Sequence, residues 1–115
     1  MSAPRSTQIF IQNQTGLELD LATERLEAGN WQTLPPQTIP DTQSASFLVV
    51  SDVTNNGDAG NITYNSAAGP FTFTFTNPNS GADVYTQTAP ENYTSTKVGG
   101  GGDNAQVTWI LQKSN

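Results

Sequence analysis

Gly69-Pro70-Phe71-Thr72-Phe73-Thr74-Phe75-Thr76-Asn77-Pro78-Asn79-Ser80-Gly81 is the stretch on which the fold turns. Phenylalanine and threonine alternate through its middle. A period of two places Phe71, Phe73 and Phe75 on one face of a strand and Thr72, Thr74 and Thr76 on the other. A helix, with its 3.6-residue period, would scatter the same rings around its axis. Pro70 suits the opening position of a strand, and Asn77 to Gly81 carries the turn chemistry that closes one. Rings gathered on one face need other strands to cover them.

Working outward, Ala82 to Thr88 reads as the next strand, joined to the first by the Asn77–Gly81 turn as a hairpin. On the other side, Asn61 to Asn65 is a short strand with Ile62 and Tyr64 on one face. Ser44 to Val50 is the most continuously apolar run. Val107, Trp109 and Leu111 share a face near the end of the chain, and Asn92 to Val98 is a polar strand suited to an edge. Thr7 to Asn13 and Leu17 to Leu21, with Gln14-Thr15-Gly16 between them, read as a β-hairpin. Ala22 to Ala28 is too short for an independent helix and reads as a strand or irregular connection. Pro35 and Pro36 exclude a central strand. About eight short strands with turn signals between them predict an all-β fold, a single antiparallel β-sandwich with little or no helix. The 115 residues suit one domain over 1–115, with residues 1–6 as a disordered tail.

Composition excludes several functions. Net charge is −6, and the only bases, Arg5, Arg25, Lys97 and Lys113, are scattered. No basic footprint exists for nucleic acid, and none for anionic lipid. Without Cys there is no disulfide or thiolate, and without His the usual general base and commonest metal ligand are missing. No run approaches the roughly 18 apolar residues that span a bilayer. Met1 to Ser6 has no apolar core, so no signal peptide is expected. The reading is of a soluble protein, cytoplasmic or non-classically secreted.

Asp52, Asp58 and Asp83 are acids near loops, but nothing in the sequence pairs them for acid–base work. Asp52, Asn55, Asn56, Asp58 and Asn61 offer hard oxygen ligands, yet their spacing is not that of a calcium loop and an ordinary hairpin loop explains them. Gly99 to Gly102 lacks the Lys and helix of a phosphate loop and reads as a flexible turn. The triplets at Asn13, Asn61 and Asn92 match glycosylation acceptors, which a chain rich in Asn and Thr produces by chance. No catalytic residue, metal site or cofactor is expected. The remaining handles are Trp31, Tyr85 and Tyr93, whose apolar bodies and polar tips suit lipid headgroups or sugars. Trp31 lies between a glycine and a Pro-Pro segment, as at an end of the sandwich. Plugging the core is the competing role for all three, and Trp109 is expected in the core.

The order of these landmarks resembles that of the aegerolysins and related small acidic β-sandwich cytolysin-like proteins. The resemblance runs through Ile9-Phe10-Ile11-Gln12-Asn13-Gln14-Thr15 and Leu26-Glu27-Ala28-Gly29-Asn30-Trp31, then Ile39 before Phe47 and Gly60-Asn61-Ile62-Thr63-Tyr64. It continues in Phe73 to Gly81, Tyr85, and Gly101-Gly102-Asp103-Asn104 before Val107-Thr108-Trp109-Ile110-Leu111. It implies a non-enzymatic protein that binds membrane lipid, often sphingolipid, and in some members forms pores with a larger partner protein. The chain is shorter and poorer in Trp than the family pattern. A carbohydrate-binding lectin on the same scaffold is the alternative. A self-assembling homo-oligomer and an Asp/Glu hydrolase are further readings.

Overall fold

The Phe/Thr alternation becomes a strand that buries its rings completely. Phe71, Phe73 and Phe75 are fully buried, while Thr72, Thr74 and Thr76 face outward. A computed structural model of the chain describes residues 5–51, 57–78, 83–102 and 104–114. Within them are ten strands and no helix. In chain order these are β1 (Ser6–Gln14), β2 (Leu19–Ala28), β3 (Asn30–Thr33), β4 (Thr38–Ile39), β5 (Ser44–Val50), β6 (Gly57–Ser66), β7 (Gly69–Pro78), β8 (Val84–Thr88), β9 (Tyr93–Gly99) and β10 (Asn104–Lys113). Two five-stranded sheets form a sandwich. The first has the order β3-β5-β1-β10-β9 and the second β4-β2-β6-β7-β8. The Asp52–Asn56 part of the acidic loop, the Asn79–Gly81 close of the turn, and Asp103 lie outside the described residues.

The core sits between the sheets. Ile9, Ile11, Phe47, Val49, Val107, Trp109 and Leu111 face it from the first sheet. Leu19, Ile39, Ile62, Tyr64 and the three phenylalanines of β7 face it from the second. Phe73 and Trp109 meet across the interface with ring centroids 4.9 Å apart. Each polar tip in this core has a partner. Trp109 Nε1 donates to Gln87 Oε1 at 3.0 Å, and Tyr64 OH donates to the Pro36 carbonyl at 2.6 Å. Burial holds the Tyr64 phenol above its ordinary pKa.

Two pairings depart from the reading of the sequence. β1 and β2 are not a hairpin, because they lie in different sheets. The reason is Asn13, which is 1 % exposed. Its amide nitrogen lies 2.8 Å from the Leu17 carbonyl and 3.0 Å from that of Ile39, and its Oδ1 accepts from the Thr15 hydroxyl at 2.7 Å. This buried hub carries the chain across the sandwich instead of back along β1. The second departure is β1 against β10, the one parallel pair among the described strands. The other pairs are antiparallel.

At Gly29 the chain passes from the second sheet to the first in one residue. Its φ is +90°, and a Cβ there would sit 2.7 Å from the Val50 carbonyl oxygen. Glycine is the residue that tolerates both. The polar strand Asn92 to Val98 is β9, at the edge of the first sheet as its sequence suggests, and the first strand opens at Ser6, inside the stretch expected as a tail. Among the described residues no helix is long and apolar enough to cross a membrane.

Candidate functional site

Trp31, Tyr85 and Tyr93 are all half-buried, and the structure does not gather them at one place. Trp31 lies on β3, at one lateral edge of the first sheet. Its ring packs edge-on against Phe47, centroids 5.9 Å apart, and its Nε1 donates to Glu24 Oε1 on β2 at 2.8 Å. It therefore straps one sheet to the other.

Tyr85 and Tyr93 share the opposite lateral edge, where β8 of the second sheet faces β9 of the first. The segment 89–92 carries the chain between these strands. Tyr85 packs against Trp109, and Tyr93 against Phe71. Tyr85 is the better held. Its OH donates to Asp83 Oδ2 at 3.2 Å and accepts from the Gly101 N–H at 3.0 Å. Lys97 Nζ stands 5.2 Å over its ring. Burial raises the Tyr85 pKa; the Gly101 bond opposes this and Asp83 adds to it. Lys97 lies four residues along β9 from Tyr93, about 13 Å at the rise of a strand. The edge thus presents two aromatic bodies with polar tips and one cation.

A shallow cleft of about 350 Å³ opens on the other side, lined by Leu21, Ala22, Thr23, Glu24 and Gln37. It lies beside the irregularity in β2 between Leu21 and Thr23, where the register against β6 shifts. An extra residue in one strand bends it and re-aims its side chains. Glu24 belongs both to this cleft and to the bond with Trp31.

Sequence reasoning missed one buried acid. Asp58, on β6, is 1 % exposed, and its Oδ1 accepts from the Thr7 hydroxyl at 2.5 Å. Its Oδ2 is buried without a hydrogen-bond partner. Burial raises its pKa to about 6; the Thr7 bond and Arg5 act to lower it, and Asp83 to raise it. Asp58 and Asp83 are thus close enough to interact, which no spacing in the sequence revealed. The alternating burial of β6 was the available signal, since Asp58 shares the parity of Ile62 and Tyr64. Substrate has no access to a group this buried. Among the described residues no cluster of three or more His, Cys, Asp or Glu side chains is placed to hold a metal ion. Asn13, the first glycosylation triplet, is buried and unavailable for modification.

No protein-family model matches the chain, and neither does any curated protein sequence. Its structure does match solved ones. The lipid-binding protein Nakanori, known from a crystal structure at 1.5 Å, superimposes with a TM-score of 0.81 at 12 % sequence identity. The match covers 96 % of this chain and 72 % of that one. The two proteins share the β-sandwich fold.

Proposed function

We propose that this chain is a non-enzymatic, aegerolysin-like protein that binds neutral or zwitterionic membrane lipid through the edge carrying Tyr85 and Tyr93. The observation that carries the reading is the sandwich held in common with a lipid-binding protein over nearly the whole chain. The chemistry of the edge supports it. Tyrosines with wet tips suit the headgroup layer, and a net charge of −6 disfavours anionic lipid. Trp31 is a second contact on this reading, reached only from the far edge. Pore formation, as in some aegerolysins, would need a larger partner, so the protein alone binds membranes without lysing them.

Sedimentation with liposomes tests the proposal. The panel includes sphingomyelin–cholesterol and ceramide phosphoethanolamine vesicles, with phosphatidylserine vesicles as the anionic comparison. Pelleting is expected with at least one neutral composition, and Tyr93→Ala should weaken it about tenfold, or about 1.4 kcal/mol. No pelleting with any composition overturns the reading. The cleft beside Glu24 favours a second one, in which Thr23, Glu24 and Gln37 hydrogen-bond a sugar near Trp31. A glycan array separates the two.

A further inference from the structure

We infer that the outer face of the first sheet is the contact surface for a second copy of this chain, stacked face to face. The inference stands apart from lipid binding and begins with charge. The strands of this sheet contain no Asp or Glu at all. Their only charged residues are Lys97 and Lys113. Register places these opposite Trp109 and Tyr93, on the parity that faces the core and not on the outer one. The outer face is therefore free of charge from β3 to β9. The described acids all lie on the second sheet or on connections, at Glu18, Asp20, Glu24, Glu27, Asp41, Asp58, Asp83 and Glu91. A chain of net charge −6 repels its own copies through most of its surface. This face is where two copies can meet with their acids turned outward.

The face also carries an apolar anchor. The registers of β5, β1 and β10 set Leu48 beside Gln8, Phe10 beside Thr108, and Gln12 beside Ile110. Val50 and Leu48, neighbours along β5, then continue through Phe10 and Ile110, each a diagonal step on, as a stripe across three strands. All four are half-buried among Ser, Thr and Gln neighbours, and Val98 adds a more exposed side chain at the β9 edge. The stripe lies on the sheet face itself and not on a projecting loop. It suits a second flat sheet, whose side chains can interdigitate at the roughly 10 Å spacing of packed sheets. A two-fold axis lying between the two faces, parallel to the sheets and directed along or across the stripe, lays stripe against stripe, as an isologous contact requires.

Area is consistent with a reversible dimer. Five strands about 4.8 Å apart present a face on the order of 600 Å². Two such faces remove about 1,200 Å² from solvent, the lower end of a standard interface.

Sedimentation velocity over a concentration series, at low and high salt, tests the inference on the intact chain. A monomer–dimer equilibrium is expected that high salt does not weaken, because no charge lies in the contact and screening only eases the repulsion between two acidic copies. Thr108→Glu, beside Phe10 at the centre of the face, should weaken the dimer at least tenfold. Gln12→Glu should act in the same direction, and Thr74→Glu, on the outer face of the other sheet, should leave it unchanged. Circular dichroism establishes that each variant is folded. A wild-type monomer throughout the series overturns the inference, as does a dimer indifferent to both charged variants of the face. Loss of liposome binding by Thr108→Glu in a protein that is always monomeric would reassign the face to membrane.

Discussion

Asp58 is the residue whose environment most contradicts its chemistry. It is enclosed between the sheets with Thr7, Asn77, Arg5 and Asp83 around it, and one of its oxygens has no hydrogen-bond partner. A buried carboxyl favours its neutral form. Because its pKa rises from 3.8 to about 6 on folding, the folded protein holds this proton more tightly than the unfolded chain. Its stabilising contribution is full below pH 4 and declines as pH rises towards about 6. Asp58→Asn removes the titration. Relative to the wild type, the variant should gain about 2–3 kcal/mol at pH 7 and little or nothing at pH 4, read from urea unfolding at both values. An equal effect at both pH values would show that Asp58 does not carry a linked proton. The identity of this residue as an acid is plain in the sequence, but its environment is set by residues distant along the chain, Thr7 by a hydrogen bond and Asp83 by its charge.

Elements show where local pattern suffices. Phe71 to Phe75, Ile62 with Tyr64, and Val107 to Leu111 alternate strictly, and each is a strand with the expected face buried. Strand identity is a property of a few consecutive residues, so it is legible. Partner choice is legible where a short turn joins neighbours, as in the expected pairing of β7 with β8, but not in general. Gln14-Thr15-Gly16 reads as a hairpin turn until the Asn13 side chain gathers carbonyls from residues 17 and 39. Edges carry their own signatures. Lys97 sits on the core-facing parity of an edge strand, a placement that discourages edge-to-edge pairing. Just beyond, Gly100 has φ +104°, and a Cβ there would approach Tyr85 Cε2 to 2.6 Å. Gly100→Ala should destabilise the fold by about 1–2 kcal/mol through the backbone alone. It should also displace Tyr85, seen as altered near-ultraviolet circular dichroism. Unchanged stability would mean that this turn relaxes away from the ring.

At the scale of the molecule, the candidate site was less legible than the fold. Trp31, Tyr85 and Tyr93 have the residue types of a binding surface, but sheet order divides them between opposite edges. That order depends on which strand lies beside which, and no local pattern encodes it. The pairing of β1 with β10 is the extreme case, since it aligns Ser6 with Asn104 and continues to Gln14 with Gln112. Such a contact closes a very long loop and should make folding slow for a chain of this size. It also determines how the protein bears mechanical load. Opposed tension at Ser6 and Lys113 runs along two neighbouring strands that point the same way, so the hydrogen bonds between them are loaded in shear and together. An antiparallel terminal pair would instead unzip one bond at a time. Pulled between these residues in a single-molecule force experiment, the sandwich should resist and then rupture in one step, with no early peeling of either strand.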